Sequence, residues 1–162
     1  MKRPLQTFIL IALLLLPLTG FLSTPEVKVA EATGWLTGWS YRKSITVSQT
    51  AGAGANYPVN LTLHYGSGTD NATTHEIYLG ETCRTDFGDI RFTDSDGTTE
   101  TAYWLRSYVS GDRAEFWVKI PGNLSTSDQT IYLYWGNSDA TTTSNQKDMG
   151  IYQLRAQRYR DD

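Results

Sequence analysis

Residues 82–108 read TCRTDFGDIRFTDSDGTTETAYWLRSY, and this stretch decides the fold class. Asp89-Ile-Arg-Phe-Thr93 alternates polar and apolar residues, the period of a strand with one buried face. Asp94, Asp96 and Gly97 follow as turn formers, and Thr101 to Tyr108 resumes a strand pattern around Tyr103-Trp104. An Asp-Gly pair between two such runs is a strong short-range hairpin signal. A β-hairpin is therefore expected here.

The same period recurs on both sides. Ser44 to Val47, Val59 to His64, Glu115 to Ile120 and Ile131 to Trp135 all alternate, and clusters such as Ala51–Gly54, Gly66–Asn71, Ser110–Asp112 and Pro121–Asn123 separate them. Short strands punctuated by Gly, Asn and Asp, with no convincing helix, predict an all-β, antiparallel β-sandwich of jelly-roll type. Alternation directs Ile45, Val47, Val59, Leu61, Leu63, Ile90, Phe92, Phe116, Val118, Ile120, Ile131, Leu133 and Trp135 into the core.

The chain has 162 residues and 40% hydrophobic content, enough for one packed domain. Its beginning reads differently. Met1-Lys-Arg3 followed by the apolar run Phe8–Leu18 has the layout of a secretory signal. Pro17 interrupts that run, which falls short of the roughly 20 apolar residues of a membrane span. The expected organisation is a signal peptide over 1–32, with cleavage after Ala32 in Ala30-Glu-Ala32, or else an uncleaved anchor. A β-sandwich over 33–140 follows, then a polar, basic tail over 141–162. Membrane contact is expected only through an uncleaved N-terminal segment.

Export fits the remaining composition. Asn60, Asn71 and Asn123 each open a glycosylation sequon. Cys83 is the sole cysteine, so no intrachain disulfide exists, and stability must come from burial and backbone pairing. The net charge is −3, and no basic patch interleaved with aromatics appears, which argues against a nucleic-acid partner.

Outward parity gathers a different set of side chains. Trp117, Tyr132 and Tyr134 lie on that parity of the last two strands, and Trp104 and Tyr108 join them if their strand pairs nearby. Aromatic rings among Arg106, Glu115 and Lys119 suit a carbohydrate platform, since ring faces stack on sugar C–H surfaces while polar neighbours take the hydroxyls. Cross-strand aromatic pairs also stabilise a sheet without any ligand. Trp104, Trp117, Tyr132 and Tyr134 are the candidate binding residues.

Metal and catalytic motifs fail on their spacings. Placing Gly97 at the sixth position of an EF-hand loop puts Phe92 first and Tyr103 twelfth, and neither supplies a carboxylate. A calcium site joining this turn to Asp86 or Asp89 has no spacing behind it, so no cofactor is expected. Asp86-Phe-Gly88 lacks the other kinase motifs, and His75-Glu76 lacks the second histidine of a zinc protease, Leu79 standing in its place. His64, His75 and Cys83 are too few for a structural zinc site. Cys83 has no histidine placed by any motif to activate it. Glycoside hydrolysis needs two facing carboxylates, and although Asp89, Asp94, Glu100 and Glu115 sit on or near strands, no spacing singles out a pair. No catalytic residue is assigned.

The wording of these strands carries a resemblance. Trp39-Ser-Tyr-Arg42 with Ile45-Thr-Val47, Asn56-Tyr-Pro-Val59, the run from Cys83 to Glu100, Tyr103-Trp104, Ala114 to Pro121, and Thr130-Ile-Tyr-Leu-Tyr-Trp-Gly-Asn137 resemble the domain of unknown function 2341 family over Trp35–Ala140. The resemblance implies a β-sandwich module of exported archaeal and bacterial proteins, often placed before a lectin-like domain, and hence surface display with carbohydrate contact or adhesion. It carries no catalytic residues. The departure is the tail through Arg155, Arg158 and Arg160, where relatives continue into a linker and another domain. The expected function is a non-catalytic surface module binding glycans or the cell surface. The alternative is a structural, adhesive or assembling subunit of the envelope, and a glycoside hydrolase ranks third.

Overall fold

A computed structural model describes residues 34–150. Seven strands run through them: β1 (Tyr41–Val47), β2 (Ala55–His64), β3 (Glu76–Tyr78), β4 (Arg91–Thr93), β5 (Tyr103–Val109), β6 (Arg113–Asn123) and β7 (Gln129–Trp135). They form a three-stranded sheet ordered β1-β7-β4 and a four-stranded sheet ordered β3-β2-β6-β5. The expected all-β sandwich is present. Its pairing is not wholly antiparallel, because β3 runs parallel to β2, with Leu63 opposite Ile77. That short strand lies inside the His75–Leu79 stretch, where the zinc-protease motif failed.

Alternation sorts the side chains as the period demands. Val59, Leu61 and Leu63 from β2, Phe116, Val118 and Ile120 from β6, and Ile131, Leu133 and Trp135 from β7 are buried in one cluster. Ile45 and Val47 are only partly buried and pack against its edge, because β1 is the outermost strand of its sheet. Phe92, Tyr103 and Phe116 form an aromatic triangle at the centre. Their centroids lie 5.6 Å apart for Phe92–Tyr103 and 5.8 Å apart for each of the other two pairs.

The stretch that decides the fold departs from a simple hairpin. Its two strands belong to opposite sheets, since β4 pairs with β7 and β5 pairs with β6. Only a short ladder joins them locally: Asp94 N–H donates to Thr99 O at 2.9 Å and Thr101 N–H to Phe92 O at 2.9 Å. Beyond Thr101 the chain leaves for the other sheet, where Ala102 O accepts from Lys119 N–H at 2.9 Å. The turn itself is held as expected, with Gly97 at φ +76°, a region that favours glycine. A Cβ at Gly97 would overlap the carbonyl oxygen of Gly34.

Among the described residues, three of the four sheet edges are covered. The turn shields β4 through the two bonds just described. Asn71 exchanges backbone bonds of 2.9 and 3.0 Å with Glu76 at the β3 edge. Along β5, Tyr103 O accepts from Asn145 N–H at 2.9 Å, and Leu105 N–H donates to Ser144 Oγ at 2.7 Å. Residues 141–150, read from sequence as the start of the tail, thus lie against β5 and end in a short 3-10 helix, Lys147–Met149, with Met149 buried. The signal segment, its cleavage at Ala32, and Arg155, Arg158 and Arg160 lie outside the described residues.

Candidate aromatic site

The four candidate aromatics do not share one face. Trp104 and Trp117 stand opposite each other on β5 and β6, in the four-stranded sheet. Tyr132 and Tyr134 project from β7, in the other sheet. Both pairs have outward parity, so they point away from each other across the sandwich. The single-face expectation assumed that consecutive strands β6 and β7 pair, whereas the chain crosses between sheets there.

Of the tyrosine pair, Tyr134 is closed off and Tyr132 is half-buried beneath Arg42. Tyr134 is fully buried, and its hydroxyl donates to Gly97 O at 2.8 Å. The N-terminal segment forms the lid: Trp35 meets Tyr134 edge-on at 5.8 Å, and the Arg42 guanidinium sits 4.5 Å from the Trp35 ring centroid and 4.4 Å from that of Tyr132. Arg42 also donates to Gly34 O at 2.8 Å and to the Tyr134 hydroxyl at 3.2 Å. A cation between aromatic faces is a stabilising packing unit. Sequence reading missed this unit, although Trp35 just before β1 and Arg42 at its start stand close together in the chain.

The tryptophan pair remains partly exposed. Asn60 on β2 stands opposite Trp117, giving a row of Asn60, Trp117 and Trp104 across three strands. The next row holds Thr62 and Glu115, with Arg106 paired to Glu115 at 2.7 Å. A register shift between Leu105 and Ser107 then reverses the parity of β5, placing Tyr108 opposite Ala114, a core residue. Tyr108 is therefore separated from the Trp104 face by a bulge, a local insertion that the alternation did not reveal.

The acidic residues near this stretch are each held by a neighbour. Asp89 is almost fully buried, with Oδ1 accepting from Arg84 N–H at 3.0 Å and Oδ2 from Gly136 N–H at 2.8 Å. Arg84 grips Asp86 in two parallel bonds of 2.9 and 2.7 Å, which hold that carboxyl below its usual range, with help from Gly88 N–H. The Thr99 hydroxyl and then the backbone N–H groups of Thr99 and Thr98 draw the Asp96 carboxyl well down, while burial raises that of Asp94. Glu100 lies 3.6 Å from Arg91 Nε. Among the described residues, no group of three or more His, Cys, Asp or Glu side chains is arranged to hold a metal ion.

Cys83 is buried, and its thiol is pushed up to about 12, first by burial and then by the negative charge of Asp89. Nucleophilicity resides in the thiolate. Cys83 is therefore expected to resist a colourimetric disulfide reagent at pH 8 in the folded protein and to react at once in denaturant. Rapid reaction of the folded protein would contradict this placement.

The sequon asparagines differ in setting. Asn60 lies in mid-strand with Nδ2 donating to Phe116 O at 3.3 Å. Asn71 and Asn123 are exposed and cap turns, Asn71 Oδ1 accepting from Thr73 N–H at 2.9 Å and Asn123 Oδ1 from Ser125 N–H at 3.0 Å.

Residues 86–152 match the family model described as a domain of unknown function, DUF2341. That stretch carries the DUF2341 signature. The match begins at Asp86 and covers β4 through β7 together with residues 141–150 along β5. It includes Trp104, Trp117, Tyr132 and Tyr134 but not β1, β2 or β3, so the resemblance noted at Trp39–Arg42 and Asn56–Val59 lies outside the matched DUF2341 residues. Searches of curated proteins and of solved structures found no match.

Proposed function

We propose that this protein is an exported, non-catalytic surface module that binds carbohydrate on the outer face of its four-stranded sheet. One observation supports this reading above the others: Trp104 and Trp117 stand directly opposite each other and partly exposed, in a row with the amide of Asn60. Two indoles on neighbouring strands would offer an apolar floor for a sugar ring. Asn60, Thr62, Glu115 and Arg106 supply hydrogen-bonding groups around it. Tyr132 and Tyr134 stand on the other sheet and have no part in this site.

What supports the non-catalytic reading is the pairing of the candidate carboxylates. Asp89 is locked by two amides, Asp94 accepts from Asp96 N–H at 2.9 Å, and Glu100 and Glu115 are drawn to arginines. A glycosidase needs one carboxyl free to protonate and another free to attack or activate water.

A glycan array or polysaccharide affinity gel tests the site. Trp117→Ala is expected to weaken retention about tenfold, the effect of truncating a central aromatic anchor. Its circular dichroism spectrum should be unchanged. Equal retention of the two proteins on every glycan that binds would sink the assignment.

A further inference from the structure

A cavity of about 310 Å³ lies beside β5, lined by Arg84, Asp86, Gly88, Leu105, Tyr108 and residues 140–142. It is separate from the Trp104 face. Leu105 stands opposite the core residue Phe116, and the bulge that follows gives Tyr108 the same parity, opposite the buried Ala114. Tyr108 is nevertheless 51% exposed. An aromatic ring with core parity that is left half in solvent does little for packing, and bulges re-aim side chains beside functional sites.

Another part of the wall is an ion pair fixed in place. Arg84 is held at four points: Nε and Nη2 donate to the two Asp86 oxygens at 2.9 and 2.7 Å, and Nη1 donates to Ser138 O at 3.1 Å and to Ala140 O at 2.9 Å. Both side chains remain partly exposed. An exposed pair contributes little to stability, so stability does not account for this much anchoring. Gly88 leaves the pair bare. A Cβ there would lie 3.1 and 3.4 Å from the Asp86 oxygens and 3.5 Å from the Arg84 guanidinium carbon. Gly88 is not among the glycines with positive φ, so its backbone conformation does not demand glycine.

We propose that this cavity is a second sugar pocket, independent of the Trp104–Trp117 platform, which takes one neutral pyranose ring, the end residue of a glycan. The bonding capacity left on the pair sets the chemistry. Four of the five guanidinium N–H groups are used, which leaves one on Nη2. Among the described residues Asp86 Oδ2 accepts only from Arg84, whereas Oδ1 also accepts from Gly88 N–H at 3.0 Å. The bonds from Arg84 hold the Asp86 carboxyl below its usual range, so at neutral pH it accepts and does not donate. One free donor beside one free acceptor suits a ligand that both gives and takes a hydrogen bond, as neighbouring sugar hydroxyls do. The charges of the pair cancel, so little attracts an ionic ligand. Tyr108 and Leu105 supply the apolar surface for the C–H face of the ring. The volume stands at the small end of ligand cavities, about 300–1,000 Å³, which suits a single ring better than a run of them.

The isotope-labelled full chain titrated with glucose, galactose, mannose and N-acetylglucosamine tests the pocket. At least one of these sugars should shift the backbone amide resonances of Gly88, Tyr108 and Thr141 in a saturable manner. Tyr108→Ala, at an exposed position, should weaken that sugar at least about tenfold. Gly88→Ala, which lays a methyl group over the ion pair, should weaken it as well while the remaining resonances stay in place. The inference is overturned by the absence of saturable shifts at those amides with every sugar up to about 50 mM. Equal affinity in Tyr108→Ala, or tighter binding of glucuronate than of any neutral sugar, would overturn it too. Trp117→Ala should leave these shifts unchanged, so failure of this pocket and failure of the tryptophan platform are read separately.

Discussion

Replacing Asp89 with alanine is expected to cost about 3–5 kcal/mol of stability, a large part of the roughly 5–15 kcal/mol that holds a domain of this size. The reason is positional. Asp89 sits just before β4, and its two carboxylate oxygens each accept a backbone N–H, one from Arg84 in its own loop and one from Gly136 at the end of β7. Its carbonyl accepts the Trp39 indole N–H at 2.8 Å, so three separate segments meet at one residue. Alanine would leave the Arg84 and Gly136 amides without their acceptor in a region from which water is largely excluded. Hydrogen bonds to a charged acceptor contribute about 1.5–3 kcal/mol each, and an orphaned buried donor costs more than a neutral loss. The thermal midpoint should fall by at least about 10 °C. Asp89→Asn keeps one carbonyl acceptor but turns an NH2 group toward the other amide, so its loss should be intermediate. A melting temperature within about 2 °C of wild type for the alanine protein would show that the knot is dispensable.

The same residue shows how far sequence reading reaches. Alternation placed Ile90 and Phe92 in the core, but the strand is only Arg91–Thr93 and Asp89, Arg91 and Thr93, expected on an open face, are buried as well; Asp96-Gly97 marked a true turn. What alternation cannot carry is the destination of each strand. Period 2 is identical whether the strand after a turn pairs with its neighbour or crosses to the opposite sheet, so the 89–108 hairpin and the single aromatic face both rested on adjacency in the chain. The crossing is specified by features without a period. Thr101 Oγ1 donates to Lys119 O at 2.6 Å and so ties the start of the crossing to β6. The Tyr103 hydroxyl donates to Ile90 O at 3.1 Å, joining the two sheets across the crossing.

The candidate site was half legible for a related reason. Trp104 and Trp117 fall on outward parity and do lie together, since β5 and β6 are true neighbours. Tyr134 has the same parity yet is covered, because Gly34 and Trp35 fold over it from a segment with no strand pattern of its own and Arg42 reaches it from β1. Parity says which way a side chain points from its sheet. It says nothing of what a distant loop lays on top. Phe87 is the clearest instance: its backbone takes φ +54°, uncommon for a bulky residue, while its ring is completely buried. The left-handed kink turns that ring into the core just before the Asp89 knot, and no composition rule foretells it.

Phe116→Ala should be the most damaging substitution in the core, at about 3–5 kcal/mol, because a large ring is removed from a site with no exposed edge through which neighbours can close. Phe116 lies on β6 and Phe92 on β4, so their contact spans the two sheets, and Tyr103 from β5 completes the triangle. Edge-on aromatic pairs add about 0.5–1.5 kcal/mol beyond their buried area. A double-mutant cycle combining Phe116→Leu with Phe92→Leu, followed by urea denaturation, should therefore show coupling of that order. The ordinary loss of apolar volume would affect each single variant, but only a direct contact across the sandwich produces the coupling. Additivity within about 0.3 kcal/mol would mean that the sheets are held together elsewhere. That outcome would shift attention to the Asp89 knot, where β7 and the loop entering β4 are joined by hydrogen bonds and not by packing.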